Sequence, residues 1–450
     1  MENQILQDLQ NCFSLEHNEY FENLRKDEYS YLDEKGQIYL DYTGGNVIPK
    51  QLLDKHFEFL RENVLGNPHS ENPTSNFTTK KVEEARERVL KFFNAKEYYC
   101  VFTNNASSAI QIVSEYYSFG KDSPFLLTLD NHNSIHGIRG SRPNEKIIYV
   151  PLDETDLTIK GEELIKHLME NKELKNKLFS YPAQSNSSGV KHPLAWIKIA
   201  QELNWDVLLD AAAYVPTSKL DLSEYKPDFV CISFYKIFGY PTGIGCLLLR
   251  KDKYDKIGEK KNFYGGTING NSILFSSPFS IEWSREKKGE DIKHEKFENG
   301  TLNYAGIPAI TNGLNFIEEQ GMDKISARVT SLANYLIQSL QELKHSNQKP
   351  LITIFGPQKC ENRSGTVNMD FLDESGSIFS HTEIEKEAKK FNISSRQGLF
   401  CNKGVCLTIN KNDSINSSGT NRISVGIATV KSDIDTFVQF VKSFENKINK

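Results

Sequence analysis

A lysine closes one of the most apolar runs in the chain: Val230, Cys231, Ile232 and Phe234 lead to Lys236. Burial disfavours the ammonium form, so a lysine at such a strand end has a lowered pKa. Its neutral amine can then condense with a carbonyl group. The alternative is a side chain that threads its apolar stem outward and leaves its charge in water. An aspartate, Asp210, closes the run Trp205-Asp206-Val207-Leu208-Leu209 in the same way. A carboxylate there needs a cation or several donors to offset its burial. It can find them in the protonated nitrogen of a heterocyclic ring, or in the backbone of the Ala211-Ala212-Ala213 stretch, which it would cap.

Two further apolar runs end in chemistry-bearing residues. Tyr98–Thr103 is followed by Asn104-Asn105-Ala106-Ser107-Ser108, small polar residues that open a helical pattern. Free N–H groups and the helix dipole make that position a phosphate seat, although asparagine and serine also serve as routine caps. Phe125–Asp130 is followed by Asn131 and His132, whose imidazole can stack on a flat ring or act as an ordinary hydrogen-bonded histidine. A phosphate seat, a flat stacking partner, a ring-nitrogen acid and an amine for a carbonyl, at successive strand ends, are the set that pyridoxal phosphate (PLP) requires.

The elements that must position these groups are legible from periodicity. From Tyr98 to Arg250, short apolar runs alternate with helical segments, which predicts an α/β domain with a mostly parallel sheet. Sites in such sheets lie beyond the carboxyl ends of the strands. Upstream, residues 37–48 read as a strand and a glycine turn, with Pro49 at the start of a helix. Residues 66–79 read as a long polar loop, and Val82, Ala85, Val89 and Phe92 keep helical spacing after it. Beyond residue 300, helices at 306–320 and 323–344, two strands and further helices predict a smaller α+β unit, and 410–421 reads as a surface loop. The expected division is 66–305 for the large domain, with 1–65 and 306–450 forming the small one.

Composition narrows the function classes. With 450 residues, 25% of them charged, and a net charge of −5, the chain fits a globular protein and not a general nucleic-acid binder. No apolar run approaches the ~20 residues that span a bilayer. The acidic N-terminus fits neither a secretory signal nor a transit peptide, so a cytoplasmic location is expected. The seven cysteines are scattered, which does not resemble a disulfide framework. Cys100, Cys231 and Cys246 fall in apolar runs. Cys401 and Cys406 lie among polar residues and glycines, without the second pair or histidine cluster of a zinc site. No metal is expected.

The stretches YLDYTGGNVIP, GNPHS, DNHNSIHGIR, LLDAAAYVPTSKLDLS, SFYKIFGYPTG and RQGLFCNKGVC, spread over residues 39 to 406, resemble the class V aminotransferase and cysteine desulfurase superfamily. Within it, the resemblance is to the N-terminal, desulfurase-like domain of molybdenum cofactor sulfurases. It implies a fold-type I PLP-dependent transferase with a mostly parallel seven-stranded sheet and a smaller α+β domain. Lys236 would hold PLP, Asp210 would pair with its ring nitrogen and His132 would stack on the ring. Asn105, Ala106, Ser233 and Tyr235 would hold the phosphate, joined by Thr267 from the partner subunit of a homodimer. Asn186, Arg396 and Arg422 match substrate-binding positions, and Cys401 matches the nucleophile that receives sulfur as a persulfide. Arg396 or Lys403 could supply the positive charge that a thiolate needs.

The chain also departs from the pattern it resembles. Ala213 stands where simple desulfurases carry glutamine, Tyr235 where many have histidine, and C-N-K-G-V-C replaces C-N-P-G-A-C. The cofactor-binding domain that eukaryotic molybdenum cofactor sulfurases append is not among these residues. The resemblance thus implies conversion of L-cysteine to L-alanine with persulfide on Cys401, and passage of that sulfur to an acceptor protein or cofactor. An aminotransferase, a C–S lyase or an epimerase on another amino acid is the alternative. Cys401 discriminates, since those reactions do not need a nucleophilic thiol.

Overall fold

The structure, a computed structural model, describes residues 15–68, 70–120, 122–141, 146–258, 271–277, 280–285, 290–409 and 419–449. Seven strands form the central sheet: β1 Tyr98–Thr103, β2 Phe125–Thr128, β3 Ile147–Val150, β4 Leu178–Pro182, β5 Asp206–Asp210, β6 Phe229–Ser233 and β7 Gly245–Arg250. Their spatial order is β1-β7-β6-β5-β4-β2-β3. The pairs from β6 to β3 are parallel, whereas β7 runs antiparallel to both of its neighbours. Every residue of β4, β5 and β6 is buried. Helices cover both faces of such a sheet, which is why these strands read as unbroken apolar runs and not as alternation.

Register sets the strand ends side by side: Pro182 is opposite Asp210, and Asp210 is opposite Cys231. Asp210, Ser233 and the residues after β4 therefore meet along one edge. Among the helices around the sheets are α1 Leu15–Glu28, α2 Lys50–Glu62, α3 Pro73–Phe92, α4 Ala106–Tyr116, α5 Pro308–Gln320 and α6 Met322–Gln341. The loop expected over 66–79 is shorter than its composition suggests, because α3 already starts at Pro73. The Asn72 side chain accepts a hydrogen bond from Ser75 N at 2.9 Å, and proline suits the first helical position, where its missing N–H is no loss.

A second, antiparallel sheet holds β8 Ile352–Phe355, β9 Thr366–Phe371, β10 Arg396–Gly398 and β11 Thr420–Ser424, in the order β8-β9-β11-β10. The N-terminal segment reaches this unit. Ile38 and Tyr39 pair in parallel with Ile393 and Ser394, and Asp41 bridges to Ser424. Of the expected loop at 410–421, residues 410–418 lie outside the described residues. Cys100, Cys231, Cys246 and Cys406 are buried free thiols, whereas Cys401 is exposed. Among the described residues no helix is long and apolar enough to cross a membrane.

Candidate active site

The β1–α4 turn and the end of β6 build a seat of backbone donors. Asn105 caps α4, its Oδ1 accepting from Ser108 N at 3.0 Å, and Ala106 N donates to Ser233 Oγ at 2.9 Å. A Cβ on Gly245 would come within 2.7 Å of the Asn105 backbone, so the glycine lets β7 lie against this turn. The chain then leaves β6 through the single turn Tyr235–Phe238, which carries Lys236 and closes at Gly239 with φ +82°. The N-terminal segment braces that turn: Asn46 N donates to Tyr235 O and Asn46 Nδ2 to Ile237 O.

Lys236 faces a cavity with about 220 Å³ of free space, whose walls include Asn105, Ala106, His132, Asn186, Asp210, Ser233 and Tyr235. Eight of the residues singled out from sequence thus surround one space. Burial lowers the pKa of Lys236, Asp210 opposes that shift, and Arg422 and Arg396 add to it. One oxygen of Asp210 accepts from Ala212 N at 3.0 Å, so the aspartate caps the following turn and also faces the cavity. His132 Nδ1 accepts from Ser134 N at 3.2 Å, which leaves the neutral ring its proton at Nε2. Burial lowers the pKa of this histidine, opposed by Asp210, and the neutral form is favoured.

The two arginines come from the second sheet and share one acid that the sequence reading did not single out. Asp41 accepts from Arg396 Nε at 2.9 Å and Nη2 at 2.5 Å, and from Arg422 Nη2 at 2.9 Å. Arg422 is 2% exposed, donates from Nη1 to Asn186 O at 2.7 Å, and has no hydrogen-bond partner for its buried Nε among the described residues. Hydrogen bonding to Asp41 raises the pKa of Arg396, whereas burial lowers that of Arg422. The only signal for Asp41 in the sequence was an acid at the end of the short run Ile38–Leu40.

Cys401 sits on a loop docked against the central sheet. Phe400 and Cys401 both adopt left-handed backbone, with φ of 53°. Phe400 O accepts from Asn186 Nδ2 at 2.8 Å, Cys401 O accepts from Asn133 N at 2.8 Å, and Asn402 Nδ2 donates to Asp130 O at 2.7 Å and Asn186 Oδ1 at 2.9 Å. The Arg422 guanidinium lies 4.9 Å from the Phe400 ring centre. Asn402, a second residue the sequence reading passed over, is fully buried and ties the Cys401 loop to the segment that carries His132. Cys406 lies behind the loop, and burial, with Asp370 adding to it, raises its thiol to about 11. Thr267 lies outside the described residues.

These residues fit PLP. An acid for the ring nitrogen, an amine favoured neutral, an imidazole and a helix N-terminus with Ser233 beside it face one cavity, and the buried Arg422 Nε has no hydrogen-bond partner among the described residues. Among known proteins, the family model for class V aminotransferases matches residues 38–437. The chain is 33% identical to human molybdenum cofactor sulfurase, covering 93% of this chain and 50% of that protein. It is 32% identical to the Arabidopsis thaliana molybdenum cofactor sulfurase, over 94% of this chain and 58% of that one. The chain therefore spans only about half the length of these relatives. The fold matches the apo structure of a cysteine desulfurase from Thermococcus onnurineus, with a TM-score of 0.77, 23% identity and coverage of 94% and 97% of the two chains. It also matches the Escherichia coli cysteine desulfurase CsdA, with a TM-score of 0.74, 20% identity and the same coverage. The chain belongs to the class V aminotransferase family and, with it, to the pyridoxal phosphate enzymes.

Proposed function

We propose that the chain removes sulfur from L-cysteine, releasing L-alanine and keeping the sulfur on Cys401 as a persulfide. One observation carries this reading: an exposed thiol, Cys401, stands on a loop tied by hydrogen bonds to the walls of the cavity that holds Lys236 and Asp210. The names of the relatives, molybdenum cofactor sulfurase and cysteine desulfurase, support it.

PLP, when bound, supplies an electron sink beside the amino acid's α-carbon. The residues of the chain do the rest. Arg422 offers its unpartnered Nε to the substrate carboxylate, a charge-assisted bond that orients the amino acid. Asp210 keeps a proton on the ring nitrogen. Lys236, favoured in its neutral form by burial, accepts the α-proton. The Cys401 thiolate attacks the substrate sulfur: an S–S bond forms, the carbon–sulfur bond breaks, and its electron pair stays with the carbon fragment. That fragment takes up a proton and leaves as alanine, balancing the proton given up by the Cys401 thiol.

The finer parts of the reading are a homodimer whose partner lends Thr267, a cytoplasmic location, a sulfur acceptor that meets the exposed Cys401, and the domain division 66–305 against 1–65 plus 306–450. The free thiols support a reducing compartment, and the two separate sheets support the division. Incubation with L-cysteine and a thiol reductant should give alanine and sulfide, with one added sulfur atom on the Cys401 peptide by mass spectrometry. Cys401→Ala should abolish turnover and keep the visible cofactor band. Pyruvate and ammonia in place of alanine would make the enzyme a C–S lyase.

A further inference from the structure

The order of strands fixes which wall of the cavity each edge of the cofactor meets. The phosphate seat, Ala106 N with Ser233 Oγ, lies at the β1, β7 and β6 end, Asp210 ends β5, and the segment after β4 forms the wall beyond it. In PLP the aldehyde-bearing ring carbon is para to the ring nitrogen, and the phenolic oxygen and the phosphate arm flank it on opposite sides. With the nitrogen on Asp210, the aldehyde carbon at Lys236 and the phosphate at Ala106, the phenolic oxygen would face the wall after β4.

Two amide side chains stand on that wall, Gln184 and Asn186. Both ends of the Asn186 amide are engaged by the Cys401 loop, through Phe400 O and Asn402 Nδ2. Ala212 and Ala213, which face the same space from the neighbouring strand end, carry no polar side-chain atom. Gln184 is 3% exposed, and its Oε1 has no hydrogen-bond partner among the described residues. It borders both the main cavity and a smaller recess of about 20 Å³, and Lys236 borders both as well. A buried amide with an open valence beside the lysine is costly unless something in the cavity completes it. The two ends of an amide exchange by rotation of the terminal group, so Gln184 can present its NH2 as a donor.

We propose that Gln184 is a positioning residue for the cofactor, donating its amide N–H to the phenolic oxygen of PLP. The proposal rests on the PLP reading of Lys236 and Asp210. A donor to that oxygen stabilises its anionic form and draws electron density from the lysine nitrogen bound beside it, which lowers the pKa of that nitrogen. Removing the donor lets the nitrogen keep its proton to higher pH. The charged and titratable groups around Lys236 are Asp210, His132, Arg422, Arg396 and Cys401. None of them changes in the variants below, so a difference in midpoint reports Gln184.

The test is a titration of the visible absorption of the PLP-loaded protein, wild type against Gln184→Leu and Gln184→Met. The second variant fills nearly the same space, which keeps the test available if the first does not fold. The expected result is an upward shift of the midpoint by about one pH unit, equivalent to a tenfold change in proton affinity. Adding Ala213→Gln to Gln184→Leu returns an amide to the same wall and should bring the midpoint back. A folded, PLP-loaded Gln184 variant with the wild-type midpoint overturns the proposal. Absence of a visible band in the wild type with added PLP overturns the cofactor reading itself, a distinct outcome.

Discussion

Asp41 shows how much of this site depends on one carboxylate. It takes hydrogen bonds from Arg396 and Arg422, and Arg422 is buried with few other acceptors in reach. Removing one partner of a buried pair leaves the other charge uncompensated, which costs about 3 kcal/mol or more. Asp41→Asn should therefore lower unfolding stability by about that amount, read as a shift in the urea midpoint. An unchanged midpoint would mean that Arg422 does not depend on Asp41. Lys236 and Asp210 were legible because a charge at the end of an apolar strand is a local anomaly. Asp41, Asn402 and Gln184 were not, because their importance comes from partners far away in the chain, and asparagine, glutamine and a lone aspartate are ordinary in loops.

At the scale of elements, the docked loop of Cys401 is the part on which the proposed sulfur chemistry rests. Gly404 lies so close to the end of the central sheet that a Cβ there would overlap the backbone oxygen of Leu129. Gly404→Ala should lift the loop and break the contacts of Asn402 with Asp130 and of Cys401 with Asn133. The expected outcome is a fall of about tenfold or more in persulfide formation, about 1.4 kcal/mol of barrier, with the visible cofactor band unchanged. Full activity in this variant would show that the docked arrangement is not required. The strands themselves were easy to read, since a parallel sheet buried on both faces leaves unbroken apolar runs. The start of α3 was not, because Asn72-Pro73 looks like loop chemistry until the Asn72 cap on Ser75 N is seen.

For the whole molecule, stability against pH carries the mark of Asp370 on β9. Burial raises its carboxyl from 3.8 to about 7. Between those values the folded state keeps a proton that the unfolded chain has lost. The contribution is therefore full below the unfolded value and is lost as pH rises through about 7. At about 1.4 kcal/mol per unit, the change is on the order of 4 kcal/mol. Asp370→Asn should flatten that slope and exceed the wild type in unfolding stability at pH 8. Parallel slopes from pH 5 to 8 in the two proteins would refute the assignment. The small unit was predicted as α+β, but no local pattern marks a buried acid in Thr366–Phe371, whose neighbours are drawn from β8 and β11.

The distribution of thiols has a practical corollary. Of the five cysteines whose side chains are described, one is exposed and four are buried, and burial pushes the thiol pKa of Cys231, Cys246 and Cys406 upward. Alkylation requires both access and thiolate, so under native conditions the reagent should mark Cys401 first among these five. Labelling of the remaining four then becomes a clock for breathing of the fold. Cys406 times motion behind the Cys401 loop, and Cys100, Cys231 and Cys246 time opening of the central sheet.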